Sequence, residues 1–226
     1  MISHSRVPDR TVRRHDLVVV CPLAWRAQIE AREDVANDPL VANWIARQWP
    51  LVGRRAFVGE GEGVALGLPL PPVAGKHRLS FLMQHADIVS VTRPPRLSWA
   101  GQVAPAGWCP TLERICDLAS RYGFDARVFG SLAWHALTGL DYLTDRSDLD
   151  FLLHVSGDLD LLRLHSALAK IEADAPMRLD GELVREDGGA ANWREFGCGA
   201  RDVLVKSIDG VGLLPQSQFI LGSSPS

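Results

Sequence analysis

The chain has 226 residues, with 24 Lys or Arg, 27 Asp or Glu and a formal net charge of −3, a balance that excludes a general, strongly basic nucleic-acid binder. Its length allows one large or two small domains, and no apolar run is long enough for a membrane span. The four cysteines form no CxxC pair and follow no apolar leader, so we expect free thiols and a cytoplasmic protein.

The first 109 residues show the pattern of a small α+β domain. The run LVVV at residues 17–20 predicts a first strand, and the proline that follows suits the first turn of a helix. A second helix is expected with Asn37 as its N-cap and Pro39 in its first turn. Further strands are expected at four short apolar runs: 56–58, 64–68, 78–82 and 88–91.

A connection between two domains is predicted over residues 100–110, which are rich in Gly, Ala and Pro. We therefore expect an N-terminal α+β domain, residues 1–109, and a larger C-terminal domain, residues 110–226. The second domain is expected to begin with a helix that Thr111 caps and Gly123 ends.

The stretch from Gly130 to Asp150, GSLAWHALTGLDYLTDRSDLD, contains the polar groups best suited to chemistry. Gly130 leaves room for a phosphate near the backbone, and Ser131 adds a hydroxyl at a helix start, where free N–H groups attract anions. Residues two apart in a strand point the same way, so Asp148 and Asp150 are expected to face together. Two carboxylates repel each other unless a cation lies between them, and Mg²⁺ is the natural cation beside phosphates.

This order of residues resembles the GS…DxD signature of the nucleotidyltransferase superfamily. The resemblance implies a mixed sheet with flanking helices, in which Gly130 and Ser131 bind phosphates while Asp148 and Asp150 bind Mg²⁺ (or Mn²⁺). The stretch between Ser131 and Asp148 is longer than usual, and we expect the extra residues in a loop at 141–147. A helix start followed by an exposed acidic strand end is the non-functional alternative; two motifs in order between apolar runs favour function.

The superfamily places a third carboxylate on a later strand, and residues 177–184 alternate as such a strand. Leu179 and Leu183 face one side, and Asp180 and Glu182 face the other. Asp180 is our prediction because it follows an apolar residue in mid-strand. Glu182 remains an alternative, as does a solvated strand face without a catalytic role.

The other elements of this half are a helix beginning near Asp158, a hairpin turn at 187–189 and a last strand at 202–206. Lys206 or Arg194 could neutralise a bound triphosphate, and Lys206 is our substrate-binding prediction. Either residue could equally be a charge that keeps a strand edge from aggregating.

Seven segments spread over the chain carry a narrower resemblance: RRHDLV (13–18), GLPLPP (67–72), VFGSLAWHALTGLDYL (128–143), SDLDFLL (147–153), LDGEL (179–183), NWRE (192–195) and VLVKS (203–207). Together they resemble the phosphoribosyl-dephospho-CoA transferases, the holo-acyl-carrier-protein synthases of malonate decarboxylase. The similarity includes the N-terminal half, which general nucleotidyltransferases lack.

This resemblance implies a specific reaction. The donor would be 2′-(5-triphosphoribosyl)-3′-dephospho-CoA, the acceptor a serine of the acyl-carrier subunit of malonate decarboxylase, and diphosphate would leave. Asp148 and Asp150 match the family's catalytic aspartates. Asp180 would bind a second metal ion or accept the serine proton. The N-terminal half would recognise the carrier subunit or the pantetheine arm.

Two other functions remain compatible with the sequence. One is a nucleotidyltransferase that moves AMP from ATP to a small molecule or a protein, which would give an adenylated product from ATP alone. The other is a non-enzymatic module that binds the carrier. The clustered carboxylates argue against the second function, because docking does not require mutually repelling charges.

Overall fold

The computed structural model describes residues 11–75, 78–156 and 159–219. It divides into two compact units after Arg93, and each unit contains its own sheet, which confirms the predicted two-domain α+β fold. This division lies earlier than the boundary expected between residues 109 and 110. The reason is that Ala100 and Trp108, in the expected connection, are buried in the core of the second unit, as is Leu97 just before it.

The described part of the first unit is an antiparallel sheet of five strands with two helices, and the strand order is β4-β3-β2-β1-β5. Its elements are β1 (Leu17–Val20), α1 (Pro22–Glu30), α2 (Pro39–Ala42), β2 (Leu51–Gly53), β3 (Val64–Pro69), β4 (Arg78–Met83) and β5 (Ile88–Thr92). Four of the expected elements, β1, β3, β4 and β5, lie within one or two residues of their predicted positions.

The strand expected at 56–58 is absent from the structure, and this prediction is wrong. These residues form a loop after β2, which the Arg54 side chain organises. Its guanidinium forms an ion pair with Glu60 and lies 4.5 Å from the centre of the Phe57 ring. The backbone N–H of Phe57 donates to the Glu60 carboxylate at 2.7 Å. These contacts favour a turn over an extended strand.

Two predicted helix caps are also wrong. Asp38, not Asn37, caps α2, because its carboxylate accepts the backbone N–H of Leu40 at 2.8 Å. The helix expected to start after Thr111 begins two residues earlier, at Cys109, and Thr111 is buried within its first turn. In both cases the helix starts one or two residues away from the polar side chain that the sequence favoured.

The described part of the second unit contains a mixed sheet of six strands in the order β11-β10-β9-β8-β7-β6. β7 and β8 are parallel, and the other neighbouring pairs are antiparallel. Its elements are α3 (Leu97–Ala100), α4 (Cys109–Tyr122), β6 (Asp125–Val128), α5 (Gly130–Thr138), β7 (Leu149–His154), α6 (Leu161–Ala173), β8 (Leu179–Val184), β9 (Ala190–Asn192), β10 (Asp202–Lys206), β11 (Val211–Pro215) and α7 (Gln216–Phe219). Asp160 caps α6, whereas Asp158, near which this helix was expected to begin, lies outside the described residues.

The core of the second unit lies on one face of its sheet. The apolar stripes of α4 and α6 and the start of α5 pack there with alternate residues of β7 and β8. Phe151 of β7 is paired with Gly181 of β8, and a Cβ added to Gly181 would lie 2.3 Å from Phe151 Cζ. The opposite face carries Asp150 and Asp180. Among the described residues, no helix is long and apolar enough to cross a bilayer.

Candidate active site

Gly130 and Asp150 are in direct contact where β6 passes into α5. Gly130 has φ of +64°, a left-handed conformation that favours glycine. A Cβ built on it would lie only 1.8 Å from Asp150 Oδ2. The backbone N–H of Phe129 donates to the Asp150 carbonyl at 3.1 Å, which ties the helix start to β7. The Asp150 carboxylate therefore occupies the space that the missing side chain leaves.

The N-terminus of α5 offers backbone donors beside this carboxylate. The first N–H groups of a helix have no partners within the helix, and Phe129 at the N-cap supplies no side-chain cap. Ser131, half-buried, is the second residue of the helix. Such a terminus suits a phosphate, but the neighbouring Asp150 charge would repel one unless a cation lay between them. The helix terminus and the Asp150 carboxylate thus lie side by side.

Asp180 lies next to Asp150 across the sheet. The two residues are register partners in the parallel pair β7–β8, so their side chains are on the same face of strands about 4.8 Å apart. Asp180 is half-buried, and Asn192 Nδ2 donates to its Oδ1 at 2.9 Å. A third carboxylate is therefore available beside Asp150.

Glu182, the alternative third carboxylate, is placed differently. Its side chain is only 8% exposed, and its Oε1 lies 3.6 Å from Lys206 Nζ. Its register partner on β7 is Leu152, so it lies two positions farther along the strand than Asp180. We therefore favour Asp180, and Lys206, whose side chain is 37% exposed, adds positive charge to the same face.

Asp148 lies one residue before β7 begins. Its side chain is 40% exposed, and its Oδ2 is 3.9 Å from Arg178 Nη1. Within the described ranges, no three His, Cys, Asp or Glu side chains form a ready metal cluster. Mg²⁺ usually takes one or two carboxylates and completes its coordination with substrate phosphates and water. Asp150, beside the N-terminus of α5, and Asp148, two residues earlier, fit that requirement.

Two polar side chains, those of Arg194 and Tyr142, are unsuited to phosphate binding and proton transfer respectively. Arg194 donates to the Leu179 carbonyl at 2.7 Å and forms an ion pair with Glu172, so it braces β8 and is not available for a triphosphate. Tyr142 lies in the loop between α5 and β7, and burial raises the pKa of its phenol. Tyr142 therefore stays neutral near pH 7 and is excluded as a general base.

Sequence reasoning missed Asn192 as a site residue. It belongs to the segment NWRE, but its contact with Asp180 depends on the antiparallel pairing of β8 with β9. Their separation of twelve positions along the chain gave no spacing signal, because only the hairpin brings them together.

Comparison with known proteins gives matches over both units. The family model "Phosphoribosyl-dephospho-CoA transferase MdcG N-terminal domain" matches residues 13–94, and that of the MdcG C-terminal domain matches residues 96–217. The two matched regions meet beside the structural division after Arg93.

Several curated relatives carry the name phosphoribosyl-dephospho-CoA transferase. One from Bradyrhizobium diazoefficiens is 52% identical over 226 residues, which is 100% of both chains. One from Xanthomonas euvesicatoria is 39% identical over 177 residues, covering 76% of this chain and 83% of the relative. One from Pseudomonas putida is 31% identical over 199 residues, covering 84% and 83%. No solved structure gives a significant match.

Proposed function

Because the chain belongs to the MdcG family of phosphoribosyl-dephospho-CoA transferases, and is thereby a transferase, we propose a specific donor and acceptor for it. The donor is 2′-(5-triphosphoribosyl)-3′-dephospho-CoA, and the acceptor is a serine of the acyl-carrier subunit of malonate decarboxylase. The observation that carries the proposal is the contact between the N-terminus of α5 and Asp150, with Asp180 alongside.

The triphosphate of the donor binds at the start of α5 in this proposal. The N–H groups that follow Gly130 and the Ser131 hydroxyl hold its outer phosphates, and Lys206 attracts them from β10. Asp148 and Asp150 would hold Mg²⁺ at the same place. When bound, Mg²⁺ supplies neutralisation of the negative charge that develops on the leaving diphosphate.

The acceptor serine attacks the phosphorus that is attached to the ribose. A new bond forms between the serine oxygen and this phosphorus, the bond to the diphosphate breaks, and its electron pair leaves with the diphosphate. The hydroxyl proton passes to Asp180, because a serine hydroxyl is a weak nucleophile near neutral pH and needs a base. The product is a phosphodiester between the carrier serine and the prosthetic group.

The first unit is proposed to recognise the carrier subunit or the pantetheine arm. It has its own sheet and matches the N-terminal domain of the family, and the site residues lie outside it. Hydrogen exchange of the full chain, measured with and without apo carrier and separately with and without the donor, tests this role. Slower exchange within residues 11–93 in either comparison supports it, and protection confined to the second unit in both contradicts it.

We also propose that the protein acts in the cytoplasm. All four cysteines are free thiols in the structure, which suits a reducing compartment. Fractionation of cells followed by immunodetection tests this, and recovery from the periplasm would contradict it.

Intact mass spectrometry of the apo carrier, incubated with the protein, Mg²⁺ and the donor, tests the reaction. The expected result is a gain equal to the phosphoribosyl-dephospho-CoA group. Asp150→Asn, which keeps the shape of the side chain but loses its charge, should abolish the gain. Asp160→Asn is the matched control, because asparagine caps α6 as well as aspartate does.

Other outcomes separate the competing functions. A carrier or small molecule adenylated from ATP alone would keep the site but discard the proposed donor. Binding of the carrier without any mass gain would favour a non-enzymatic module.

A further inference from the structure

Asn192, the last residue of β9, makes two side-chain hydrogen bonds in different directions. Its Nδ2 donates to Asp180 Oδ1 at 2.9 Å, and its Oδ1 accepts the backbone N–H of Arg194 at 3.0 Å. The second bond caps the 3₁₀ segment Trp193–Gly197. Because the amide oxygen is committed to the backbone, only the amide –NH₂ can be presented to Asp180.

The neighbouring residues show that this contact is selective. Glu182, not Asp180, is the register partner of Asn192 across β8 and β9. The amide nevertheless bonds diagonally to Asp180, while Glu182 pairs with Lys206. The two carboxylates of β8 thus have different partners, since Asp180 accepts from a neutral amide and Glu182 pairs with a cation.

A hydrogen bond from a neutral donor affects the Asp180 carboxylate differently from a nearby cation. The terminal torsion of an aspartate is broad, so an unrestrained carboxylate rotates easily. A hydrogen bond to Oδ1 fixes the plane of the group and makes Oδ2 the oxygen that can receive a proton. Unlike a lysine, the amide brings no full positive charge to the carboxylate.

We propose that Asn192 is a positioning residue that orients Asp180 to accept the proton of the acceptor serine. This inference rests on the proposed function and assigns a role to a residue that does not itself touch the reacting atoms.

Asn192→Ser tests the inference in the full-length protein. Serine still caps the 3₁₀ segment but cannot reach Asp180 with an amide, so the midpoint of thermal unfolding should stay within about 2 °C of wild type. We expect kcat for carrier modification to fall about 10- to 100-fold, the usual cost of losing a group that supports a site residue. KM for the donor and the carrier should stay within about threefold, since a residue that acts through Asp180 affects the chemical step and not substrate binding.

Asp160→Asn is the matched control, because it changes a side chain of the second unit that is outside the candidate site and keeps the cap of α6, so this variant should keep wild-type kcat. Asn43, whose exposed amide donates to the Pro39 carbonyl at 2.8 Å, supplies reference amide signals for the spectra described below. A folded Asn192→Ser protein with wild-type kcat would overturn the inference, as would a change confined to KM.

A measurement without substrate separates this inference from the proposed function. In ¹H–¹⁵N correlation spectra of the full chain, the Asn192 side-chain amide signals are assigned by their loss in Asn192→Ser. Asp180→Ala should shift them, while the Asn43 signals stay in place. Unshifted Asn192 signals would overturn the inference even if the carrier is modified. Shifted signals in a protein that modifies no carrier would overturn the proposed function and leave the hydrogen bond established.

Discussion

Gly130→Ala is the substitution for which the structure gives the most specific expectation. Alanine at φ of +64° costs about 1–2 kcal/mol of backbone strain. Its Cβ would also lie 1.8 Å from Asp150 Oδ2, well inside the 3.0 Å below which real Cβ contacts are essentially never found. The carboxylate or the helix start must therefore move by about 1 Å or more, a displacement that can cost roughly 100-fold in rate.

Gly139→Ala separates strain from displacement. Gly139 ends the same helix with φ of +71°, and a Cβ there would meet nothing within 4 Å. Both variants should therefore lose thermal stability through backbone strain, and Gly130→Ala should lose more because Asp150 must also move. The initial rate of carrier modification, followed by intact mass, should fall about 100-fold only in Gly130→Ala. Rates within about threefold of each other in the two variants would refute the assignment of Asp150 to the reaction.

Three further experiments test other parts of the structure. Asp180→Asn should lower kcat by about 100-fold or more with little loss of stability. Glu182→Gln should cost about 1–3 kcal/mol in chemical unfolding, because it removes the charge of a buried carboxylate beside Lys206, and should keep kcat within about threefold; the reverse pattern would make Glu182 the third carboxylate. Gly181→Ala should destabilise the protein by about 1–3 kcal/mol, as its Cβ would strike the phenyl ring on β7, and unchanged urea unfolding would contradict that packing. Burial and two nearby carboxylates raise the pKa of the Cys116 thiol. At pH 8, a thiol reagent should therefore label exposed Cys198 well before Cys116, as measured by peptide mapping, and equal labelling rates would contradict this.

Much of the fold could be predicted because local patterns and tertiary packing agree. The LVVV run forms β1, and the alternation predicted for 177–184 is present in β8, where Leu179 and Leu183 enter the core and Asp180 faces away. The prediction of a strand at 56–58 was wrong because these residues lie in a loop that the side chain of Arg54, outside the apolar run, stabilises. No local pattern reveals that contact.

The candidate site was predictable to the extent that its residues are close in sequence. Gly130 and Asp150 belong to one motif, and the structure brings them into contact. The partners of Asp180 could not be predicted in this way. Asn192 reaches it only through the β8–β9 hairpin. The pairing of Lys206 with Glu182, on the same strand, likewise depends on the position of β10 next to β9 in the sheet.

The pairing of Phe151 with Gly181 has a consequence for the spacing of the reactive groups. A slip of one residue between β7 and β8 would bring a side chain where only glycine fits and would turn every residue of one strand to the other face. The Phe151 ring and the glycine opposite it thus fix the register of the two strands on the apolar side of the sheet. The same register aligns Asp150 with Asp180 on the polar side, since these residues directly precede Phe151 and Gly181. Selection for a well-packed interior and selection for aligned carboxylates therefore act on the same pair of residues.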